Sequence, residues 1–153
     1  MLVSEVNSFR LNLARELGLE AVSPKEVDLA ELAAKRTGGA GADVVFEVSG
    51  SAAGAATMTQ LVRSRGRIVV VAIFGEAPRV DLFRFFWREL RLCGARVYEP
   101  QDFDRAIALA ASGALPLERL ISAKRPLKHL QKAFEQIEAN TDLMKVLIDT
   151  RGE

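Results

Sequence analysis

One acidic side chain in this sequence stands where it could do specific chemistry. Glu5 closes a short extended run, Met1-Leu2-Val3-Ser4, and Asn7-Ser8 then open a helical pattern. A carboxylate at the carboxyl end of a parallel strand can accept hydrogen bonds from both ribose hydroxyls of an adenosine, and it repels a 2′-phosphate. That chemistry favours NAD over NADP. Taken alone, an acid at a strand end is ordinarily a solvated charge or the partner of a helix N-terminus. The strand and helix units that come after Glu5 are what raise it above that. Arg10, one turn into the helix, carries a planar guanidinium that can stack on adenine or reach a phosphate. By itself it reads as a surface charge.

Other candidates carry less. Gly38-Gly39-Ala40-Gly41 precedes a strand, whereas a phosphate cradle must open a helix, so it is rejected. Ser49-Gly50-Ser51-Ala52-Ala53-Gly54 does lie between a strand and a helix but lacks the G-x-G-x-x-G spacing. It reads as a small-residue turn that lets a cofactor approach the backbone. A single Cys and a single His, Cys93 and His129, leave no metal-ligand spacing and no base to activate a serine. Cys93, in an apolar strand, reads as a small core residue, and His129 as an exposed one. No catalytic group and no metal ligand is assigned.

The elements that must position Glu5 alternate along the chain. Phe9, Leu13 and Leu17 fall four apart, and Gly18 ends their helix. Glu20-Ala21-Val22 is a short edge. The next helix is capped by Ser23 or, one turn later, by Asp28, with Leu29, Leu32 and Ala33 as its apolar face. Asp43 to Val48 is a mostly apolar strand suited to cover on both sides. A small-residue helix spans about 53–62, and Arg67 to Phe74 is the most hydrophobic strand, fit for the sheet centre. This βαβ rhythm argues for a parallel sheet with helices on both faces.

From Gly75 the rhythm changes. Residues 81–88 gather Phe83, Phe85, Phe86 and Trp87, and Leu90 to Tyr98 reads as a further strand. Asp102 caps a helix with Phe103, Ala106, Ile107 and Ala110 on its buried face. Leu120-Ile121 is a short extended piece. Pro126 starts a helix with a buried stripe of Leu127, Leu130, Phe134 and Ile137, and Lys145 to Asp149 is the last strand.

Composition sets the bounds. With 153 residues, 49% hydrophobic and 27% charged, the chain can bury a real core. Lys plus Arg number 21 against 20 Asp plus Glu, a net charge of +1 that gives no reason to invoke nucleic acid or anionic lipid. The apolar run Ile68 to Phe74 is far short of the ~20 residues a membrane helix needs. No signal peptide is visible, and a lone cysteine fits a cytoplasmic location.

Several segments together resemble the medium-chain, zinc-dependent alcohol dehydrogenases. They are Ser4 to Arg10 with Leu13 to Gly18, Thr37 to Gly50, Gly66 to Val71, and Lys145 to Ile148. Within that family the likeness is greatest to threonine, butanediol and sorbitol dehydrogenases. The resemblance implies a Rossmann-like, doubly wound parallel sheet that begins at its second strand. It implies an NAD-binding portion in residues 1–98 and a C-terminal segment of the substrate lobe in 99–153. It also implies roles. Glu5 would hold the adenine ribose with Arg10 beside the adenine, and Val48, Ser49 and Gly50 would line the adenosine side. Val71 and Ile73 would offer backbone to the nicotinamide ribose and ring, Ala95 and Val97 to the carboxamide. Lys145 would stand near the pyrophosphate.

The family's glycine-rich turn ordinarily lies about 20 residues before the ribose-binding acid, and in these 153 residues only Met1 to Ser4 precede Glu5. The family's zinc ligands, proton relay and most of its substrate pocket are likewise missing from these 153 residues. The expectation is therefore an NAD-dependent oxidoreductase of alcohols or polyols, truncated, with this chain inactive alone. NAD should bind weakly, since losing two charge-assisted hydrogen bonds to phosphate costs about 3–6 kcal/mol. An alcohol substrate and zinc belong to the complete enzyme. The alternative is a non-catalytic nucleotide-binding or oligomerisation module. Unpaired strand edges and uncovered apolar faces imply a homo-oligomer.

Overall fold

The structure, a computed structural model, describes residues 1–139 and 142–151. The chain enters through β1 (Leu2–Ser4), α1 (Ser8–Glu16), β2 (Glu20–Val22) and α2 (Leu29–Arg36). It continues through β3 (Ala42–Glu47), α3 (Ala52–Leu61), β4 (Val62–Val70), α4 (Leu82–Arg88) and β5 (Arg91–Gly94). Then come α5 (Pro100–Ala111), α6 (Leu117–Leu120), β6 (Ala123–Pro126), α7 (Leu130–Glu138) and β7 (Val146–Asp149). Two compact units result, one of Val27–Val97 and one of Met1–Glu26 with Tyr98–Glu153. No helix among the described residues is long and apolar enough to cross a membrane.

Every strand pair is parallel, as the alternating pattern predicts. The pairing is divided among three sheets, β1-β2, β3-β4-β5 and β6-β7, rather than running through one.

In the second unit β4 is central, as its apolar run predicts. It starts five residues earlier than expected, because the ladder with β3 already pairs Ala42 with Val62 and then shifts register before Val44. Val45, Glu47, Ile68 and Val70 point to one face. There Met58 of α3 joins Val62 and Ile68 in the core, with Phe85 of α4 packed against them. Ile68 and Val62 are 0% exposed, and each contributes about 1.5–3 kcal/mol by burial. The other face of β3 is open, with Phe46 64% exposed and Val44 also exposed. The expectation that β3 is covered on both sides fails there. Cys93 in β5 is likewise exposed, not a core residue.

Caps fix the helix starts. Asn7 Oδ1 accepts from the Arg10 N–H at 3.0 Å and starts α1. Gly18, at φ +80°, lets the chain turn out of that helix. Asp28, not Ser23, caps α2, with Oδ1 accepting from the N–H groups of Ala30 and Glu31 at 2.8 and 3.0 Å. In α5 Asp102 sits one turn inside the helix and accepts from the Glu99 N–H at 3.0 Å, so the helix begins at Pro100.

The C-terminal segment departs most from expectation. Leu120 of the expected extended piece Leu120-Ile121 instead ends a helical turn, Leu117–Leu120, while Ile121 is extended. Pro126 ends β6 and caps the 3-10 turn Leu127–His129 that leads into α7. Phe103, Ala106, Ile107 and Ala110 of α5 are exposed. So are Leu127, Leu130, Phe134 and Ile137, leaving Ala133 as the buried residue of α7. Sequence periodicity marks the apolar stripe of a helix but says nothing about what covers it.

Candidate functional site

The expected site residues fall into two groups, one in each unit. In the first unit Glu5 continues the β1-β2 ladder, its N–H donating to the Val22 carbonyl at 3.1 Å. Its carboxylate thus sits at the carboxyl end of a parallel strand. Oε1 accepts from the Asn7 N–H at 2.8 Å and from Arg10 Nη2 at 3.2 Å, while Oε2 accepts from Arg10 Nε at 3.0 Å. Arg10 is doubly held, its backbone by Asn7 and its guanidinium by Glu5. A carboxylate offers about four acceptor sites, and three of them take the hydrogen bonds just given, with the Val6 N–H also close enough to hold the acid ionised.

Partial burial pushes the Glu5 carboxyl up, but the Arg10 hydrogen bond, the Asn7 backbone N–H and the Arg10 charge outweigh it. Glu5 is therefore held below the ordinary carboxylate range. An ionised acid beside two donors is the form that grips hydroxyls and repels phosphate.

In the second unit the ends of three parallel strands line up. Past β3 come Val48, Ser49 and Gly50; past β4 come Val71 and Ile73; past β5 come Ala95 and Val97. The N–H groups of Val71 and Ala72 donate to the Glu47 carbonyl at 2.9 and 3.2 Å, and that of Ala95 to the Val70 carbonyl at 2.9 Å. Val71 and Ala95 have thus committed their N–H groups to the ladder. Gly50 has φ +66°, and a Cβ there would lie 2.6 Å from the Ile73 carbonyl oxygen, so only glycine lets the two loops close. Val48, Val71, Ile73 and Val97 leave apolar side chains exposed beside them. Val97 is also held at φ +60°, which costs a β-branched residue about 1–3 kcal/mol.

Lys145 adjoins a different sheet from Glu5. It precedes β7, exposed, and its carbonyl accepts from the Ser122 N–H at 2.8 Å. Among the described residues no group of three or more His, Cys, Asp or Glu side chains could hold a metal ion. Zinc does not fit this set of donors.

The sequence reading passed over Glu47. It is 4% exposed, on the core face of β3, and its carboxylate accepts from the N–H of Ser49 at 3.1 Å and of Gly50 at 3.2 Å. The Ser49 hydroxyl donates to it as well. The available signal was local: an acid ending an apolar strand, with serine two residues on and glycine three.

Comparison with known proteins adds to this geometry. The profile of the family described as zinc-binding dehydrogenase matches residues 1–112. The 2-dehydro-3-deoxy-L-galactonate 5-dehydrogenase of Pseudoalteromonas atlantica is 50% identical over 153 residues, all of this chain and 45% of that protein. The crystal structure of 2R,3R-butanediol dehydrogenase from Bacillus subtilis superposes with TM-score 0.87 at 25% identity, over 98% of this chain and 43% of that one. A Sinorhizobium meliloti protein described as a zinc-binding dehydrogenase, solved bound to NADP, gives TM-score 0.83 at 29% identity, over 97% of this chain and 44% of that one. The chain thus spans less than half the length of each of these relatives. With a profile match over residues 1–112 and a relative 50% identical over its whole length, the chain belongs to the zinc-binding dehydrogenase family.

Proposed function

We propose that this chain is the NAD-binding portion of an alcohol or polyol dehydrogenase. The observation that carries this reading is the Glu5 carboxylate, ionised at the end of parallel strand β1 and held by Asn7 and Arg10. Bound there, Glu5 accepts hydrogen bonds from the two hydroxyls of an adenosine ribose, and Arg10 lies against the adenine. In the second unit, taken by itself, the turn Val48 to Gly50 would take the adenosine part of a dinucleotide. The ends of β4 and β5, through Val71, Ile73, Ala95 and Val97, offer backbone to the nicotinamide half. Lys145 supplies a positive charge for the pyrophosphate. When bound, NAD supplies the hydride acceptor. The chain's own work is to bind and orient that cofactor; among the described residues no group of three or more His, Cys, Asp or Glu side chains could hold a metal ion.

A non-catalytic reading has one observation in its favour. The edge strand β5 is exposed throughout, and α4 before it exposes Phe83, Phe86 and Trp87, a surface suited to joining a second copy.

Calorimetric titration of NAD and NADP into the wild-type chain and Glu5→Ala tests the main reading. Wild type should prefer NAD, and Glu5→Ala should narrow that preference by about tenfold or more, since like charges brought together cost several kcal/mol. A preference for NADP unchanged by Glu5→Ala would contradict it.

A further inference from the structure

The ends of β3 and β4 meet at one residue, Glu47. Its backbone carbonyl takes the N–H groups of Val71 and Ala72, at 2.9 and 3.2 Å, just past β4. Its side chain turns under the next loop and takes the N–H groups of Ser49 and Gly50 and the Ser49 hydroxyl. Ser49 Oγ in turn accepts from the Ser51 N–H at 3.2 Å and shares a hydrogen bond with Ser51 Oγ at 2.9 Å. Ser51 Oγ accepts from the Gly54 N–H at 2.9 Å and caps α3. One chain of hydrogen bonds thus runs from a buried carboxylate through two serines into the first turn of a helix.

A charge with 4% of its residue exposed is costly unless donors surround it, and here the donors are the turn itself. The same carboxylate also limits what can stand opposite. A Cβ on Gly54 would collide with Glu47 Oε1 and Ser49 Oγ, so the start of α3 is seated on the acid. Gly50 is thereby held with its backbone against the Ile73 carbonyl. We propose that Glu47 is the positioning residue of this edge, fixing the turn 48–51 against the end of β4 so that both present backbone to a ligand. It touches no ligand itself. This rests on the reading that the edge takes part in dinucleotide binding, but the positioning can be measured without any ligand.

Amide hydrogen exchange on the 153-residue chain, wild type and Glu47→Gln, is the test, with NAD titration of both afterwards. The substitution keeps the size of the side chain and replaces one acceptor oxygen with a donor facing donors. The Ser49 and Gly50 amides should exchange about tenfold faster or more, while those of Val62 and Ile68 keep wild-type protection. NAD should bind Glu47→Gln about tenfold more weakly with the unfolding midpoint little changed. Turn amides that exchange at the wild-type rate would overturn the proposal. So would equal acceleration of turn and core amides, which would make Glu47 a contributor to general stability. If wild type binds no NAD, the dinucleotide reading fails, and the exchange rates still decide the role of Glu47. Should Glu47→Gln not fold, Ser49→Ala keeps the charge and cuts the relay. The Ser51 and Gly54 amides should then exchange faster, and unchanged rates would overturn the proposal.

Discussion

Helix α3, read from the sequence as a small-residue helix, and helix α7, read as carrying an apolar stripe, have opposite fates. Met58 of α3 closes over Val62 and Ile68 and is buried with them, whereas Leu130, Phe134 and Ile137 of α7 face outward. The contrast lies in the strands beside each helix. The chain leaves α3 directly into β4, which pairs with strands on both sides and so supplies a floor for the helix. Among the described residues, the strands flanking α7, β6 and β7, pair only with each other. An amphipathic stripe is a demand for cover, and the neighbouring sheet decides whether the demand is met.

The largest effect that could break this comparison is in the core. Ile68→Ala should cost about 2–5 kcal/mol in urea unfolding, by lost burial plus a cavity. Phe134→Ala should stay within about 0.5 kcal/mol, as for other surface changes. A Phe134→Ala cost equal to that of Ile68→Ala would mean the α7 stripe is covered after all.

Self-association comes next in size. Phe83 and Trp87 stack with ring centroids 5.9 Å apart on the exposed side of α4, ahead of the exposed strand β5. Exposed apolar groups of that extent drive association. Light scattering should report a species larger than the monomer, and Trp87→Ser should shift it toward monomer. A wild-type monomer at high concentration would show that these faces do not seek a partner.

A smaller effect sharpens the account of Glu5. Its carboxyl is held below the ordinary value of 4.5 in the folded chain. The unfolded chain therefore takes up the proton first as pH falls. The stabilisation is complete above the ordinary value and is lost as pH falls through the lower folded value. Arg10→Ala should cost about 1 kcal/mol or less at neutral pH, and the difference from wild type should shrink on acidification. A difference that grows with acid would contradict the assignment. The exposed Arg65–Glu89 pair, at 2.9 Å, should contribute least, with no measurable change in urea midpoint for Glu89→Gln.

The same physics decides how much of this was legible in the sequence. Parallel pairing, the central place of β4 and the helix ends at Asn7 and Gly18 depend on local patterns, and they were readable. Glu5 was readable as well, because a strand end leading into a capped helix is a local signal. Glu47 was not, since its carboxylate reads as a charged strand terminus until Gly54 and the serines are folded onto it. The division into three sheets was hidden for a related reason. Apolar runs identify strands but not which strands share a ladder. Exposure of Phe103, Ile107 and the α7 stripe went unforeseen because periodicity carries no information about a covering layer.

The claim on which the rest depends is that the strand-end residues take a dinucleotide, and one experiment addresses it directly. Backbone amide shifts of the labelled chain can be monitored during titration with NAD. The account predicts shifts at Glu5 and Arg10 in the first unit, with smaller changes for NADP; within the second unit, taken by itself, it predicts shifts at 48–50, 71–73 and 95–97. Shifts gathered elsewhere, or none at saturating NAD, would contradict it.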